Sequence, residues 1–297
     1  MNLLILATLA AYMAHALFIH WRQGPEEEGE ETHLHRGMPF PVMPVMLFFF
    51  CQVVGSPAIT DRLFRWESLW IGGGLFVLLL IRQIRRKTDT EGEMGLAAGT
   101  SYLLGGLLQT ALLGVACYIA YQENALGRSL FSPGWVILGT IVGHGIFGVS
   151  LCFSHRSLDS LMGIVRYVVD VRPLFRFVAK APQQLFACID VSLMEEIIYR
   201  VAVQGALIAL LGSPAAGIVI AALVFSIVHR HFFYNHVVDS IEFLAFSLLL
   251  GVLYYATGSL VLVVMIHTVR NFEIVYFDHA EHPLEQNADS PIPEKAS

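Results

Sequence analysis

Apolar and polar positions divide the chain into long hydrophobic runs separated by short polar breaks, and within the runs the apolar residues are continuous rather than alternating. Continuous runs of this length read as membrane-crossing helices, whereas barrel strands would alternate at every second residue. Nine runs are predicted: residues 2–20, 38–55, 68–81, 96–121, 134–153, 184–211, 214–229, 239–256 and 258–277. The second, which holds Pro39, Pro41 and Pro44, either crosses or enters and returns, so the expected count is eight or nine. The first has an apolar core without a basic lead or a small-residue cleavage site and is read as a retained span. The predicted fold is all-α: a polytopic integral membrane helical bundle.

Composition agrees with that pattern. Of the 297 residues 56% are hydrophobic and 14% charged, where a soluble chain carries about 25% charged residues. The net charge of −6 sits mostly in two short acidic stretches and gives no argument for a nucleic acid partner. Cys51, Cys117, Cys152 and Cys188 lie in apolar runs without CxxC spacing, so they read as small buried hydrophobes rather than a disulfide or zinc framework. Basic residues orient the bundle. The cluster Arg82 to Lys87 follows the third run, and Arg156, Arg166, Arg172, Arg176 and Lys180 follow the fifth, which puts both segments on the cytoplasmic side. Residues 154–183 interleave those cations with Leu, Val and Phe, the pattern of an amphipathic helix lying on the inner surface. The expected organisation is N-terminal transmembrane helices over 1–153, this connector, a four-helix core over 184–277, and a polar, disordered cytoplasmic tail over 278–297.

The sixth run changes the picture, because it carries Glu195, Glu196 and Arg200. An ionisable group near a bilayer centre costs from about 2.5 to over 10 kcal/mol, and such groups face a bundle interior. Glu196 and Arg200 stand at i and i+4 with the acid first, the favourable order for a pair. Glu195 is offset by about 100° and left for other work. Two later runs add polar groups at helical spacing: Phe225 with His229, and His267 with Asn271. At about 1.5 Å per residue, Glu195 lies roughly 16 Å and His267 roughly 15 Å from the inner ends of their helices, and His229 and Asn271 nearer 8 Å. All four are thus placed in the cytoplasmic half of the membrane. The plain reading of Glu195, Glu196 and Arg200 is an ion-pair lock between helices. His231 and His236 read as interfacial, His15, His20 and His144 as single histidines met by a neighbouring helix, Asp190 and Glu242 as supporting groups, and Arg270 and Glu273 as snorkelling side chains. The glycines at 72–74 and 105–106 read as close-packing sites between helices.

Glu-Glu-x-x-x-Arg, then Phe-x-x-x-His, then His-x-x-x-Asn on consecutive apolar runs resembles the CPBP family of intramembrane proteases, which includes Rce1-type CAAX-prenyl endopeptidases and bacterial Abi proteins. The resemblance covers residues 184–277. It implies a hydrolase, a glutamate-dependent endopeptidase without an obligatory metal. Glu195 would be the general base on a water, His229 would hold or polarise that water, and His267 and Asn271 would stabilise the oxyanion. Glu196, Arg200 and Phe225 would shape the site. Val201 and Tyr199 depart from the family pattern, where glycine and phenylalanine are frequent, and this touches packing or specificity rather than a reacting group.

Two alternatives remain open at this point. The same Glu and His residues would suit a zinc-dependent membrane protease, although no His-Glu-x-x-His motif is present. A non-catalytic membrane scaffold or regulatory partner is the other. The implied partners are the lipid bilayer and a membrane-associated protein or peptide substrate, cut in CAAX-type processing, C-terminal sorting-tail cleavage or bacteriocin-type maturation. The chain lacks an ER-retention tail, which leans to a bacterial plasma (inner) membrane, with the active site opening to the cytoplasmic half.

Overall fold

The computed structural model describes residues 2–23, 96–123, 125, 132–152, 161–229 and 237–281. The second and third predicted spans, Arg82 to Lys87, His231, His236 and residues 282–297 of the tail lie outside the described residues. Among those described, the chain is all-helical: α1 Asn2–Gln23, α2 Leu96–Gln122, α3 Pro133–Ser150, α4 Leu161–Val169, α5 Arg172–Lys180, α6 Pro182–Glu196, a π-helical stretch Ile197–Gln204, α7 Gly205–Leu211, α8 Pro214–Val228, α9 Val237–Thr257 and α10 Leu260–Glu281. Three described helices are long and apolar enough to cross a membrane, α3, α9 and the first 18 residues of α10, while Asn2–His15, Leu107–Ala120 and Pro214–Val228 are shorter apolar segments.

Most boundaries follow from local chemistry visible in the chain. Gly212 (φ +62°) ends α7 in a left-handed conformation that a side chain would resist, and Ser213 Oγ then accepts from the Ala216 amide to start α8, with Pro214 in its first turn. Gly258 (φ +63°) does the same after α9, so α10 begins at Leu260 rather than at the glycine. The sixth predicted span departs most. Residues 184–211 were expected as one helix and instead form α6, the π stretch and α7, since hydrophobic periodicity does not distinguish i→i+5 from i→i+4 bonding.

The chain divides into two compact units. In the first, Met1–Ser132 with Leu193–Leu260, α1 and α2 pack on each other and on the π stretch, and Ile5, Leu9, Leu112, Leu113 and Ala116 of these two helices are buried. A side chain on Gly105 would meet the His15 ring at 3.0 Å, the close helix approach expected there. α7, α8 and α9 complete the unit around the same stretch.

The second unit, Pro133–Ser192 with Val261–Ser297, holds α3, α4, α5, most of α6 and α10. Over residues 161–181 of its connector the described chain forms two short helices rather than the single amphipathic helix expected over 154–183. Asp170 breaks it: its carboxylate accepts from the Arg172 amide at 3.2 Å and from the Arg172 guanidinium at 2.7 and 2.9 Å, and Pro173 follows in the first turn of α5. Leu174, Phe177 and Val178 pack on Cys188, Phe272 and Tyr276. Of the described cysteines Cys188 is buried and Cys117 half-buried; Cys152, at the end of α3, is exposed, contrary to expectation.

Candidate active site

From Ser192 to Gln204 every residue is buried, including four with strongly polar side chains: Glu195, Glu196, Arg200 and Gln204. Arg200 Nε donates to Glu196 Oε2 at 2.9 Å, the predicted i,i+4 pair, with both side chains wholly out of solvent. The guanidinium also donates from Nη2 to Ser247 Oγ at 3.1 Å on α9 and lies 5.2 Å from the centre of the Phe225 ring. One turn on, Gln204 Nε2 donates to the Gly251 carbonyl at 3.0 Å. Arg200 to Ser247 and Gln204 to Gly251 are parallel rungs, four residues apart on each helix. A Cβ on Gly251 would stand 2.8 Å from Gln204 Oε1, so glycine is what lets the second rung close. Gln204, Ser247 and Gly251 were not singled out from sequence; Gln204 carried a signal, as a polar residue one turn beyond Arg200 in an apolar run.

Glu195 uses the neighbouring face. Its Oε1 lies 3.2 Å from His229 Nε2, and His229 Nδ1 lies 2.8 Å from the Phe225 carbonyl, which only accepts. Nδ1 therefore carries a proton, and Nε2 is the nitrogen turned to the carboxylate. The backbone explains the placement, because His229 closes α8 and its own amide also donates to Phe225 O, at 3.1 Å. Around the imidazole stand Phe225 (4.2 Å between centroids), Phe243 (5.5 Å) and Tyr199 (6.5 Å). Phe225 stacks on Phe243 with planes 9° apart and meets Tyr199 edge-on. The expected Phe225 thus supports both Arg200 and His229; Phe243 was missed. Such a carboxylate and imidazole, held among aromatic walls, can take a proton from water and orient it.

His267 (2% exposed) and the half-buried Asn271 lie one turn apart on α10, in the second unit. In that unit the structure corrects the snorkelling expected of Glu273, which is 1% exposed and bonded to His144. Asp190, on α6, is buried as well. Among the described residues no three His, Cys, Asp or Glu side chains come together in a group that could hold a metal ion.

Residues 177–272 match the family model for the Type II CAAX prenyl endopeptidases, Rce1-like. This segment, about a third of the chain, is similar to an Rce1-like domain. The Rce1-like family is a protease family, and the likeness of this segment to it supports peptide-bond hydrolysis as its class of chemistry. The domain opens at Phe177 inside α5, ahead of the expected residue 184, and ends just past Asn271, taking in all three motifs. Helices α1, α2 and α3 lie outside the Rce1-like match. No curated protein and no solved structure matches the chain.

Proposed function

We propose that the protein is an intramembrane endopeptidase in which Glu195 activates a water for attack on a peptide bond of a membrane-associated protein or peptide. The observation that carries this reading is the Glu195 to His229 contact, with Nδ1 tied to the backbone so that Nε2 faces the carboxylate. In the proposed sequence Glu195 accepts the proton of the water as it adds to the scissile carbonyl. His229 orients that water and steadies the carboxylate. The same proton is then delivered to the departing amine, closing the cycle without a metal. By their match to the third family motif, His267 and Asn271 are assigned to the oxyanion, where one well-placed donor is worth about 3 kcal/mol. Glu196, Arg200 and Phe225 hold the backbone that presents Glu195.

The substrate class follows the family: CAAX-type processing, removal of a C-terminal sorting tail, or maturation of a bacteriocin-type peptide. The proposed setting is a bundle of eight or nine spans in a bacterial plasma membrane, open to the cytoplasmic half, with α4 and α5 in the inner headgroup layer. Exposed apolar groups beside cations support the last point: Val169 is 76% and Phe175 70% exposed, next to Arg172 and Arg176.

The test is purified protein in lipid nanodiscs against prenylated and unprenylated CAAX peptides and a membrane-anchored sorting-tail peptide. Wild type should cut at least one, Glu195→Ala none, and Glu28→Ala should match wild type. Cleavage by Glu195→Ala at the wild-type rate would remove the reading and leave a scaffold. Loss with 1,10-phenanthroline and recovery with added zinc would replace the glutamate mechanism by a metal one.

A further inference from the structure

A second buried polar contact, in the second unit, joins three helices through one imidazole. His144 Nδ1 on α3 lies 2.5 Å from Glu273 Oε1 on α10, and His144 Nε2 lies 3.0 Å from the Val168 carbonyl on α4. That carbonyl is among the last four of α4, which have no partner within their own helix, and it only accepts. Nε2 is therefore protonated, and a single proton bridges Nδ1 and the carboxylate. Neither residue is in the three motifs, and both lie outside the matched segment, Glu273 by one residue.

The helices around this contact leave little room to move. A Cβ on Gly139 would stand 2.7 Å from Met265 Cβ and 2.9 Å from the Leu262 carbonyl, and one on Gly143 would stand 2.9 Å from the Ile266 carbonyl. α3 and α10 thus touch backbone to backbone over the stretch of α3 that leads up to His144, about two to three turns before Glu273 on α10. Beyond the contact, Tyr167 and Phe277 pack edge to face at 5.0 Å, and Phe147 completes the cluster. Glu273, facing His144 and the Tyr167 side chain, is therefore the charged point in a largely apolar grip on α10. At 100° per residue it stands about 120° from His267 and about 160° from Asn271 around the helix. The grip is on the back of the helix that carries those two residues, so a small rotation there moves both.

We propose that His144 and Glu273 are positioning residues for the hydrolytic reaction: by clamping α10 to α3 and α4 they fix the rotation of α10 and with it the setting of His267 and Asn271. This rests on the endopeptidase reading above. A donor displaced by about 1 Å can cost 10²-fold in rate, and the clamp touches no reacting atom, so its effect falls on kcat rather than on KM.

The experiment compares His144→Leu, Glu273→Leu, the double variant and Glu273→Gln with wild type and Glu195→Ala in nanodiscs, reading kcat and KM below the unfolding temperature and hydrogen exchange by mass spectrometry. Glu273→Gln keeps a hydrogen-bonding partner for Nδ1. Expected are a kcat lower by about 10- to 100-fold in each Leu variant, KM within twofold of wild type, a double variant no worse than either single, and recovery in Glu273→Gln. Peptides of α10 around 262–275 should exchange faster in the Leu variants, while α8 peptides stay unchanged. Unchanged exchange in α10 overturns the clamp, and so does an unchanged kcat. A merely structural role would lower yield and unfolding temperature with wild-type kcat in the folded fraction. If Glu195→Ala still cleaves, the endopeptidase reading fails separately, and the exchange data alone decide the clamp.

Discussion

Arg200 and Glu196 form an ion pair from which water is excluded, with Nε 2.9 Å from Oε2 and neither side chain exposed. One guanidinium also serves the Ser247 hydroxyl and the face of Phe225. Removing one partner of such a pair strands the other's charge, at a cost of about 3–5 kcal/mol. Arg200→Met should therefore destabilise the first unit by about that amount, read as a lower unfolding temperature in nanodiscs. Arg200→Lys should recover little, because a point charge cannot keep the Ser247 and Phe225 contacts together. Wild-type stability in Arg200→Met would mean that the pair is dispensable.

Two glycines of the first unit should respond oppositely to alanine. On Gly217, a Cβ would meet Ile208 Cγ1 at 2.5 Å and the Ile208 backbone nitrogen at 2.9 Å, so α7 or α8 would have to shift. Overpacking of this kind costs about 1–3 kcal/mol. Gly114, in α2, has nothing within 4 Å of the added atom, and alanine gains up to about 1 kcal/mol of helix propensity there. Unfolding temperatures should fall for Gly217→Ala and hold or rise for Gly114→Ala; the reverse order would refute the close packing of α7 on α8.

What was legible in the sequence was whatever depends on residue type and i,i+4 spacing. Glu196 with Arg200, and Phe225 with His229, needed only that arithmetic. Contacts between helices were visible only as polar residues misplaced in apolar runs. Glu195 and His229 were placed about 8 Å apart in depth, yet they touch at 3.2 Å, because depth counted from helix ends ignores tilt and side-chain reach. Ser247 and Gly251 carried no signal, since small residues are ordinary in packed helices. His144 was expected to find a partner on a neighbouring helix, but nothing in the chain named Glu273, and Glu273 near a helix end looked like a solvated group.

Glu195 and His229 should behave as one unit in catalysis. Losing a positioned base lowers the rate by about 10²–10⁴-fold, so Glu195→Gln should lose processing with normal membrane levels. His229→Ala should fall by a similar order, and the double variant should fall no further than Glu195→Gln, the non-additivity of groups that act together. Additive losses in single-turnover cleavage would mean that the two residues serve separate steps.

The break in the connector predicts a specific titration. The Arg172 guanidinium beside Asp170 holds its carboxyl down at about 2, against 3.8 for an unpaired aspartate. A group depressed on folding contributes order that is complete above its unpaired value and is lost as pH falls through the lowered one. The α4–α5 turn should therefore be indifferent to pH from neutrality down to about 4 and loosen only near 2. Both side chains reach solvent, so salt screens the attraction, and the two-point guanidinium bond, at 2.7 and 2.9 Å, carries most of the effect. NMR of carboxyl-labelled aspartate, with Asp170→Asn to assign the signal, should show titration near 2 in wild type and near 3.8 in Arg172→Gln. Equal titration in both would mean that Pro173 alone sets the break.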